Sequence, residues 1–333
     1  MATYKCEKCC KEFKQKSAHT RHVNKCKVIS CSKPILKWVG GKTQILDKLI
    51  PDFPTEINNY HEIFLGGASV LFSLLSYIKQ KKISVRGKIY AYDLNEPLIY
   101  VYKNIQSHHK ELYEELQTLI TDYQDCECEK KEINRNPQTI DEAHQSEENY
   151  YYWIRKQYNT LTADEKKTLQ GSVMFIFLNK TCFRGMFRVG PNGFNVPFGH
   201  YKHPEVINQN HLDEIHDLIQ GVVFQSCDFS NALQDIKEGD FVYLDPPYAP
   251  ESATSFVGYT KDGFNLDQHK KLFNMCNKLS EEKKKFMMSN ADVKLVRQHF
   301  PEPKYNIRSI LCKRTINSKN PESKAKEVII KNY

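Results

Sequence analysis

The sequence lacks long hydrophobic runs. No stretch among its 333 residues approaches the run of about 18 apolar residues that a membrane-spanning helix needs. The amino terminus also lacks the apolar segment and cleavage site of a secretory signal. We therefore expect a soluble protein inside the cell, in cytoplasm or nucleus, with no membrane partner. The length leaves room for one large or two ordinary domains.

The sequence also lacks the dense, regularly spaced cysteines of a small secreted protein. Of its 11 cysteines, five fall within the first 31 residues, and most of the others are scattered. Such a distribution is unlike a disulfide framework. It indicates a reducing compartment and a local metal site near the amino terminus.

Acidic residues are scarce in that same segment. Residues 1–33 contain nine Lys and Arg against two Glu, for a net charge of +7, while the whole chain carries +8. A basic segment of this kind attracts polyanions, nucleic acid first among them. A solvated basic tail is the alternative, and the cysteines in the segment argue against it.

Four residues near the amino terminus have the spacing C-x2-C-x12-H-x3-C; they are Cys6, Cys9, His22 and Cys26. Two thiolates on a hairpin, with a histidine and a cysteine one helical turn apart, can surround a zinc ion tetrahedrally. The pattern resembles a Cys2His2 zinc finger in its Cys2HisCys variant, and we predict a finger at residues 1–30 with structural zinc.

The resemblance to zinc fingers also suggests which positions would contact bases, namely Gln15, Ala18 and Arg21. The chain departs from the family at His19, where a leucine normally packs. One finger alone binds DNA weakly, so a protein-binding module is the alternative to a DNA contact.

The tetrapeptide Asp245-Pro246-Pro247-Tyr248 follows an apolar run at residues 239–244. We predict that this run is a buried strand, which places the tetrapeptide at the carboxyl end of a strand, where open α/β sheets have their sites. A plain turn is the alternative, because Asp-Pro and Pro-Pro are common turn dipeptides.

The tetrapeptide suits methyl transfer to the exocyclic amine of a base. Such an amine is a poor nucleophile, because its lone pair is delocalised into the ring. The Asp245 carboxylate and the Pro246 carbonyl could each accept one N–H hydrogen bond and so localise the lone pair on nitrogen. Consecutive prolines stiffen the site and remove donors. Tyr248 offers a flat face for a base taken out of the helical stack.

Three further segments have the pattern of a nucleotide-binding sheet. A glycine pair before Lys42 could face a cofactor carboxylate, with the lysine as counter-charge. Gly66 lies in a strand-to-helix turn, and a second strand ends at Asp93, which is placed to bind ribose hydroxyls. A structural turn and a helix-capping aspartate are the alternatives. A third strand, 222–229, ends in an acid and an aromatic residue that suit an adenine ring.

The middle of the chain is helical in pattern over 98–170, with a polar segment at 122–148 that we predict to be an exposed loop. Residues 179–202 then mix aromatic, glycine and basic residues, which suits a hairpin loop that enters a DNA groove. A hairpin buried in the core is the alternative, but it does not explain the arginines. Residues 249–263 are predicted to form a mobile lid, and 313–326 a basic hairpin tip that touches phosphates.

From Lys37 onward the chain resembles the Dam-type (D12 class) adenine-N6 DNA methyltransferases, which use S-adenosylmethionine. Six motifs carry the resemblance in order: KWVGGK, FLGGASV, AYDLN, LNKTCFRG, FNVPFGHYK and DPPYAP. The resemblance implies an α/β fold, with a Rossmann-like methyltransferase sheet formed by residues 31–100 and 222–333. A helical target-recognition domain, 101–221, interrupts that sheet.

The resemblance also implies roles for individual residues. Those implied to bind the cofactor are Trp38, Lys42, Phe64, Gly66, Asp93, Asp228, Phe229 and Asp245. Those implied to hold a flipped adenine are Asp245, Pro246 and Tyr248. Those implied to contact double-stranded DNA are Lys37, Phe183, Arg184, Met186, Arg188 and Tyr201.

The expected target is a short palindrome, with GATC favoured. Many relatives have asparagine where Arg184 stands and arginine where His200 stands, so CATG or a similar site is an alternative. An RNA adenine or protein amide methyltransferase and a catalytically silent DNA-binding protein are the other functions considered. The sequence leaves open the role, whether restriction-modification or another, and the choice between a monomer and a weak dimer.

Overall fold

The computed structural model describes residues 4–5, 12–13, 15–25, 33–127, 132–202, 204–250, 264–313 and 324–333. The strands in these ranges are β1 (Tyr4–Lys5), β2 (Glu12–Phe13), β3 (Glu56–Ile57), β4 (Tyr60–Glu62), β5 (Ser84–Val85), β6 (Ile89–Asp93), β7 (Val189–Gly190), β8 (Gly193–Phe194), β9 (Val222–Ser226), β10 (Phe241–Leu244), β11 (Lys285–Ala291), β12 (Asn306–Lys313) and β13 (Lys324–Lys331). The helices are α1 (Lys16–Lys25), α2 (Leu46–Leu49), α3 (Ser69–Lys79), α4 (Glu96–Gln124), α5 (Ile140–His144), α6 (Glu147–Thr160), α7 (Leu169–Thr181), α8 (Gln209–Leu218), α9 (Phe229–Ala232), α10 (Leu266–Glu281) and α11 (Lys294–His299).

A seven-stranded sheet forms the centre of the fold, in the order β12-β13-β11-β10-β4-β6-β9. The five strands from β11 to β9 are parallel, whereas β13 runs antiparallel to β11 and β12 antiparallel to β13. The sheet confirms the predicted mixed α/β fold and is consistent with a methyltransferase fold. Because parallel strands end at the same edge, β4, β6, β9 and β10 deliver the residues that follow them to one place.

Strand β10 shows why the sheet is buried on both faces. All four of its residues are buried, as expected for a strand covered by helices on each side. Phe241 and Tyr243 join a hydrophobic cluster that includes residues of α3, α4 and α8. Val242 and Leu244 join a second cluster with α10 and α11. The alternation of side chains along a strand therefore divides the core into two layers.

Helices α4, α6 and α7 make up much of the segment between β6 and β9. Helix α7 is buried around nearly its whole circumference, which is typical of a helix in the centre of a core. It is joined to α4 by a hydrogen bond of 2.8 Å from the Asn104 side-chain amide to the Ser172 hydroxyl.

The prediction of an exposed loop at 122–148 was wrong. Residues 140–144 form α5, in which Ala143 is fully buried, and Cys126 is also buried. Thr139 caps α5 by accepting a hydrogen bond from the amide of Glu142. The small apolar side chains that anchor this segment are too few to produce a helical period in the sequence.

The described part of the amino-terminal segment contains two paired strands and a helix. Strands β1 and β2 pair antiparallel, with Tyr4 opposite Phe13, and α1 follows. The ring of Phe13 lies 4.8 Å from that of His22 and 5.9 Å from that of His19. Three of the four predicted zinc ligands, Cys6, Cys9 and Cys26, lie outside the described residues.

Two further absences apply to the described ranges. They contain no group of three or more His, Cys, Asp or Glu residues that could hold a metal ion. None of the helices in those ranges is both long and apolar enough to cross a membrane. Most of the predicted lid (249–263) and of the predicted hairpin tip (313–326) lies outside the described part of the chain.

Candidate active site

The carboxyl end of β10 leads directly into Asp245, whose carboxylate lies at the sheet edge. One oxygen, Oδ2, is 2.6 Å from the ammonium nitrogen of Lys42. The other oxygen, Oδ1, is buried and has no hydrogen-bond partner among the described residues. Burial raises the pKa of Asp245 to about 6; the nearby Lys42 opposes this shift and Glu327 adds to it. A buried acceptor without a donor is well suited to receive one from a ligand.

The side chain of Lys42 is directed toward Asp245. Its ammonium group donates to the carbonyl of Gly40 at 2.6 Å as well as to Asp245. The backbone N–H of Lys42 donates to the hydroxyl of Ser69 at the start of α3, at 3.1 Å. The expected role as counter-charge for a cofactor carboxylate stays a prediction. The structure adds a partner within the protein that spacing did not indicate.

Tyr248 is held from the opposite side of the site. Its hydroxyl donates to Oε2 of Glu327 on β13 at 2.8 Å, and Lys42 Nζ lies 5.0 Å from the centre of its ring. The next residue, Ala249, donates its backbone N–H to Oδ1 of Asn290 on β11 at 3.0 Å. Sequence analysis missed Glu327 and Asn290, although a polar residue inside an apolar strand pattern was an available indication.

Glu62, at the end of β4, is a third carboxyl group at this edge and was also missed. It is 2% exposed. It accepts hydrogen bonds from the Tyr60 hydroxyl at 2.7 Å and from the backbone N–H of Leu71 in the first turn of α3. Burial raises its pKa to about 8, and the proximity of Asp245 adds to the shift. Glu62 is therefore protonated near neutral pH and does not repel the ionised form of Asp245.

The glycine turn after β4 lies against Trp38. Gly66 has φ of +50°, and a Cβ at this position would be 2.7 Å from Cδ1 of Trp38. Its amide donates to Oδ2 of Asp93 at 3.0 Å, and its carbonyl accepts from the Tyr102 hydroxyl at 3.1 Å. Three residues implied to bind the cofactor, namely Trp38, Gly66 and Asp93, are thus brought together by the fold.

Asp93 also has a structural task. Its second oxygen accepts the backbone N–H of Asn95 at 2.9 Å, and Asn95 in turn caps α4 through the amide of Leu98. Burial raises the pKa of Asp93, and these backbone hydrogen bonds oppose the shift. Asp93 therefore supports the glycine turn, whereas the helix-capping residue is Asn95 and not the aspartate named as the alternative. The expected contact of Asp93 with ribose hydroxyls stays a prediction.

An aromatic cluster lies beyond the end of β9. The ring centres of Phe64, Phe229 and Phe264 are 5.7 to 6.0 Å apart. Asp228 accepts the backbone N–H of Ser230 at 2.9 Å and so caps α9. Lys271 donates to the Ser230 hydroxyl at 2.9 Å. The cluster offers flat apolar faces of the kind that an adenine ring stacks on; Phe264 and Lys271 were not predicted.

The residues implied to contact DNA lie partly on one surface. The Lys37 ammonium is 3.6 Å from the centre of the Tyr201 ring and donates to the carbonyl of Lys180 at 3.1 Å. Phe183 is 42% exposed, and the Arg184 guanidinium lies 5.2 Å from its ring centre. Two aromatic rings, each paired with a cation, are typical of a nucleic-acid surface.

The polar side chain of Asn179 joins this surface to the loop before Trp38. Its oxygen accepts the backbone N–H of Lys37 at 2.9 Å, while its amide donates to the carbonyls of Lys37 at 2.7 Å and Gly185 at 3.2 Å. Asn179 is buried at the end of α7 and was not singled out from the sequence.

The predicted hairpin is present as β7 and β8. Arg188, just before β7, donates to the side-chain oxygen of Asn195 at 2.6 Å and to its backbone carbonyl at 3.2 Å. Met186 is half-buried and packs against the hydrophobic core. The hairpin therefore holds the exposed Arg188 in a fixed direction, whereas Met186 contributes to packing.

Comparison with known proteins agrees with this geometry. Residues 38–316 match the family of D12 class N6 adenine-specific DNA methyltransferases. The chain is 35% identical over 313 residues to the Type II methyltransferase M.MjaIII of Methanocaldococcus jannaschii, covering 90% of this chain and 99% of that protein. It is 28% identical over 306 residues to the Type II methyltransferase M1.LlaDCHI of Lactococcus lactis subsp. cremoris, covering 90% and 95%.

A further relative is the DNA adenine methylase of Haemophilus influenzae, which is 29% identical over 297 residues and covers 88% of this chain and 91% of that protein. The family match extends over most of the chain and includes the strand ends that carry Asp93 and Asp245. The chain therefore belongs to the D12 class of N6 adenine-specific DNA methyltransferases and is an enzyme of that activity.

Proposed function

We propose that this enzyme transfers a methyl group from S-adenosylmethionine to N6 of an adenine that is rotated out of a short palindromic duplex site. The unpartnered oxygen of Asp245 carries the proposal. It is a buried acceptor at the end of a parallel strand, held beside a tyrosine ring and a lysine. An exocyclic amine that donates one N–H to this oxygen gives it the partner that it lacks among the described residues.

The chain's own residues prepare the amine. Asp245 Oδ1 and the Pro246 carbonyl accept its two N–H groups, which localises the nitrogen lone pair, and Tyr248 stacks on the base. When bound, S-adenosylmethionine supplies an electrophilic methyl group on a sulfonium centre. The methyl group would pass from sulfur to the amine nitrogen, with the S–C bond broken and a thioether left behind. The extra amine proton would then leave to solvent or to Asp245, whose pKa of about 6 allows it to act as a base at neutral pH.

Two groups of residues are proposed to hold the cofactor. In the first group, the turn at Gly66 lies close against the indole of Trp38 and is held by Asp93, which fixes these three residues relative to one another. The rings of Phe64 and Phe229 provide the stacking faces for the adenine part. Asp228, also implied by the family resemblance, completes the proposed set; for Lys42, a contact with the cofactor carboxylate is the alternative to its contact with Asp245.

Replacement of the Asp245 carboxylate distinguishes methyl transfer from DNA binding. We expect Asp245→Ala to lose methyl transfer from labelled cofactor to duplex DNA while it keeps DNA affinity in a gel-shift assay. Asp245→Asn, which keeps the size and shape of the side chain but removes its negative charge, is the matched variant for Asp245→Ala. Parallel reactions with RNA and with protein test the two enzyme alternatives. Transfer to RNA or protein in place of DNA, or full activity of Asp245→Ala, would exclude the proposed reaction.

The recognition site is proposed to be GATC, with CATG as the alternative. Lys37 and Tyr201 lie together, as do Phe183 and Arg184, and these pairs are expected to contact the site. Arginine and lysine suit guanine in the major groove. Sequencing DNA that the purified enzyme has methylated, with modified bases detected directly, identifies the site; methylation without a common motif would contradict site-specific recognition.

A structural zinc ion in residues 1–30 is proposed to complete a finger that adds DNA affinity. The antiparallel pairing of Tyr4 with Phe13, the helix that follows and the packing of His22 on Phe13 support this arrangement. Metal analysis of the full chain should give one zinc per chain, and Cys6→Ser should lose it. Comparison with residues 34–333 measures the contribution of the finger to DNA binding; equal affinity would favour a protein-binding module.

The cellular role proposed is restriction-modification. Two of the relatives named above are Type II methyltransferases, which supports it. Protection of methylated DNA from a restriction enzyme with the same site is the corresponding test.

A further inference from the structure

Asp245 lies between two residues of opposite charge that come from distant parts of the chain. Lys42 precedes α2 and reaches Oδ2 of Asp245 at 2.6 Å. Glu327 lies on β13, where it is paired with Ala291 at the end of β11, and it holds the Tyr248 hydroxyl at 2.8 Å. Tyr248 contacts both residues, because its hydroxyl binds Glu327 and its ring centre is 5.0 Å from Lys42 Nζ.

The contacts of Lys42 occupy most of the N–H groups that its ammonium can donate. This side chain is 5% exposed, and two of its contacts, Asp245 Oδ2 and the Gly40 carbonyl, are both at 2.6 Å. A third side of the ammonium faces the tyrosine ring. Because Lys42 engages only Oδ2, it fixes the carboxylate with Oδ1 as the remaining acceptor.

Other titratable groups face Asp245 from the elements packed around it. Glu62 on β4 is neutral near pH 7, because burial raises its pKa to about 8. Burial likewise raises the pKa of Tyr243 on β10 and of Tyr248 well above the usual value. Of these groups, Lys42 and Glu327 are therefore the two whose removal changes the charge around Asp245.

We propose that Lys42 and Glu327 are positioning residues for methyl transfer. Lys42 fixes the Asp245 carboxylate so that its second oxygen faces the target amine, and Glu327 fixes the plane of the Tyr248 ring against the base. This role rests on the proposed function, in which Asp245 accepts the amine of the flipped adenine. It differs from a role of Lys42 as counter-charge to the cofactor carboxylate.

Because the two charges are opposite, their removal should shift the acid limb of the pH–rate profile in opposite directions. The profile of kcat/KM for duplex DNA reports the ionisation of the free enzyme. In Lys42→Met the limb should move to higher pH by about one unit or more, since an adjacent cation favours the carboxylate. In Glu327→Gln, which retains an acceptor for the Tyr248 hydroxyl, it should move to lower pH by a smaller amount.

The full-length enzyme is used throughout, and each variant is checked by thermal unfolding. Lys278→Met, at an exposed lysine on α10, is the matched control and should leave the profile unchanged. If Lys42→Met does not fold, Lys42→Gln replaces it, and Glu327→Gln alone still tests the direction of the shift. An unmoved acid limb in both site variants would overturn the proposal, as would shifts in the same direction.

Two further measurements separate the alternatives. If Lys42 serves the cofactor carboxylate, Lys42→Met should raise the KM for S-adenosylmethionine without moving the acid limb, which contradicts the positioning role. With 2-aminopurine at the target position, quenching by Tyr248 should be kept in Glu327→Gln and reduced in Glu327→Ala; equal quenching in both would overturn the role of Glu327. Asp245→Asn tests the proposed function itself. Full activity of this variant would show that the Asp245 carboxylate has no part in methyl transfer, independently of the role of Lys42.

Discussion

Glu62 should make the stability of this enzyme fall with rising pH. The carboxyl group is 2% exposed, and burial raises its pKa from 4.5 to about 8. A raised pKa means that the folded chain holds a proton that the unfolded chain releases. The resulting stabilisation is fully present below pH 4.5 and is lost as pH rises through 8.

The size of the effect follows from the two pKa values. Between them, the free energy of unfolding falls by about 1.4 kcal/mol for each pH unit. From pH 7 to pH 9 the contribution of Glu62 falls by about 1.4 kcal/mol in total, because the slope fades above the folded-state pKa. Glu62→Gln removes this titration and keeps an acceptor for the Tyr60 hydroxyl and the Leu71 amide.

Urea unfolding at pH 7 and at pH 9 measures the difference. The wild-type enzyme should lose about 1.4 kcal/mol more than Glu62→Gln between the two conditions, whatever the absolute stability of the variant. Glu281→Gln, at an exposed glutamate on α10, should follow the wild type. If Glu62→Gln loses as much as the wild type, Glu62 is already ionised at neutral pH and the reasoning from burial fails.

Three further predictions concern close contacts and the metal. Gly66→Ala should strain the backbone by about 1–2 kcal/mol and displace Trp38, lowering affinity for S-adenosylmethionine in calorimetry on the order of tenfold. Gly185→Ala should displace Lys37, because the new Cβ would lie 2.2 Å from that of the lysine; gel shifts should show weaker binding to the cognate site. Gly221→Ala, with φ of +83° and no atom of the described residues within 4 Å of the new Cβ, is the control for both and should lose stability only. Prolonged chelation should unfold the proposed finger and leave methyl transfer by residues 34–333 unchanged. Unaltered ligand affinity in either glycine variant, or loss of transfer by residues 34–333 on chelation, would contradict these expectations.

The strand ends were predictable because their information is local. The apolar run before Asp245 specifies a buried strand by its own composition, and the same holds for the strands that precede Asp93 and Asp228. Their convergence follows from the parallel sheet. The sequence therefore indicated the strand ends that the fold brings together at the candidate site, together with the order of the elements.

The pairing of side chains was not predictable in the same way. Lys42 and Asp245 are far apart in the sequence, and no spacing rule states which carboxylate a lysine faces. Glu62 and Asn290 interrupt apolar strands, and Glu327 stands where the polar first half of β13 meets its apolar second half. Neither pattern distinguishes a buried polar side chain from an exposed one. These contacts depend on strand order and register, which the structure supplies.

The missed helix α5 has a different cause. Thr139 and Ser146 cap α5 and α6 by accepting amide hydrogen bonds three residues later. Both are local indications that were present in the sequence. Apolar periodicity does not reveal α5, because a short helix that buries only one or two small residues, such as Ala143, has no clear helical repeat of apolar side chains.

The side chain of Asn179 has a consequence for protein engineering. It ties Lys37, which is sequence-adjacent to Trp38, to Gly185 in the segment that precedes the hairpin. A chimaera that exchanges only residues 101–221 with those of a relative would replace the segment that contains Asn179, on which the backbone of Lys37 depends. The exchange would also alter the surroundings of the Trp38 indole. Because the family resemblance implies that residues 101–221 form the target-recognition domain, we propose that an exchange aimed at the target site should transplant residues 36–38 together with them, as one unit.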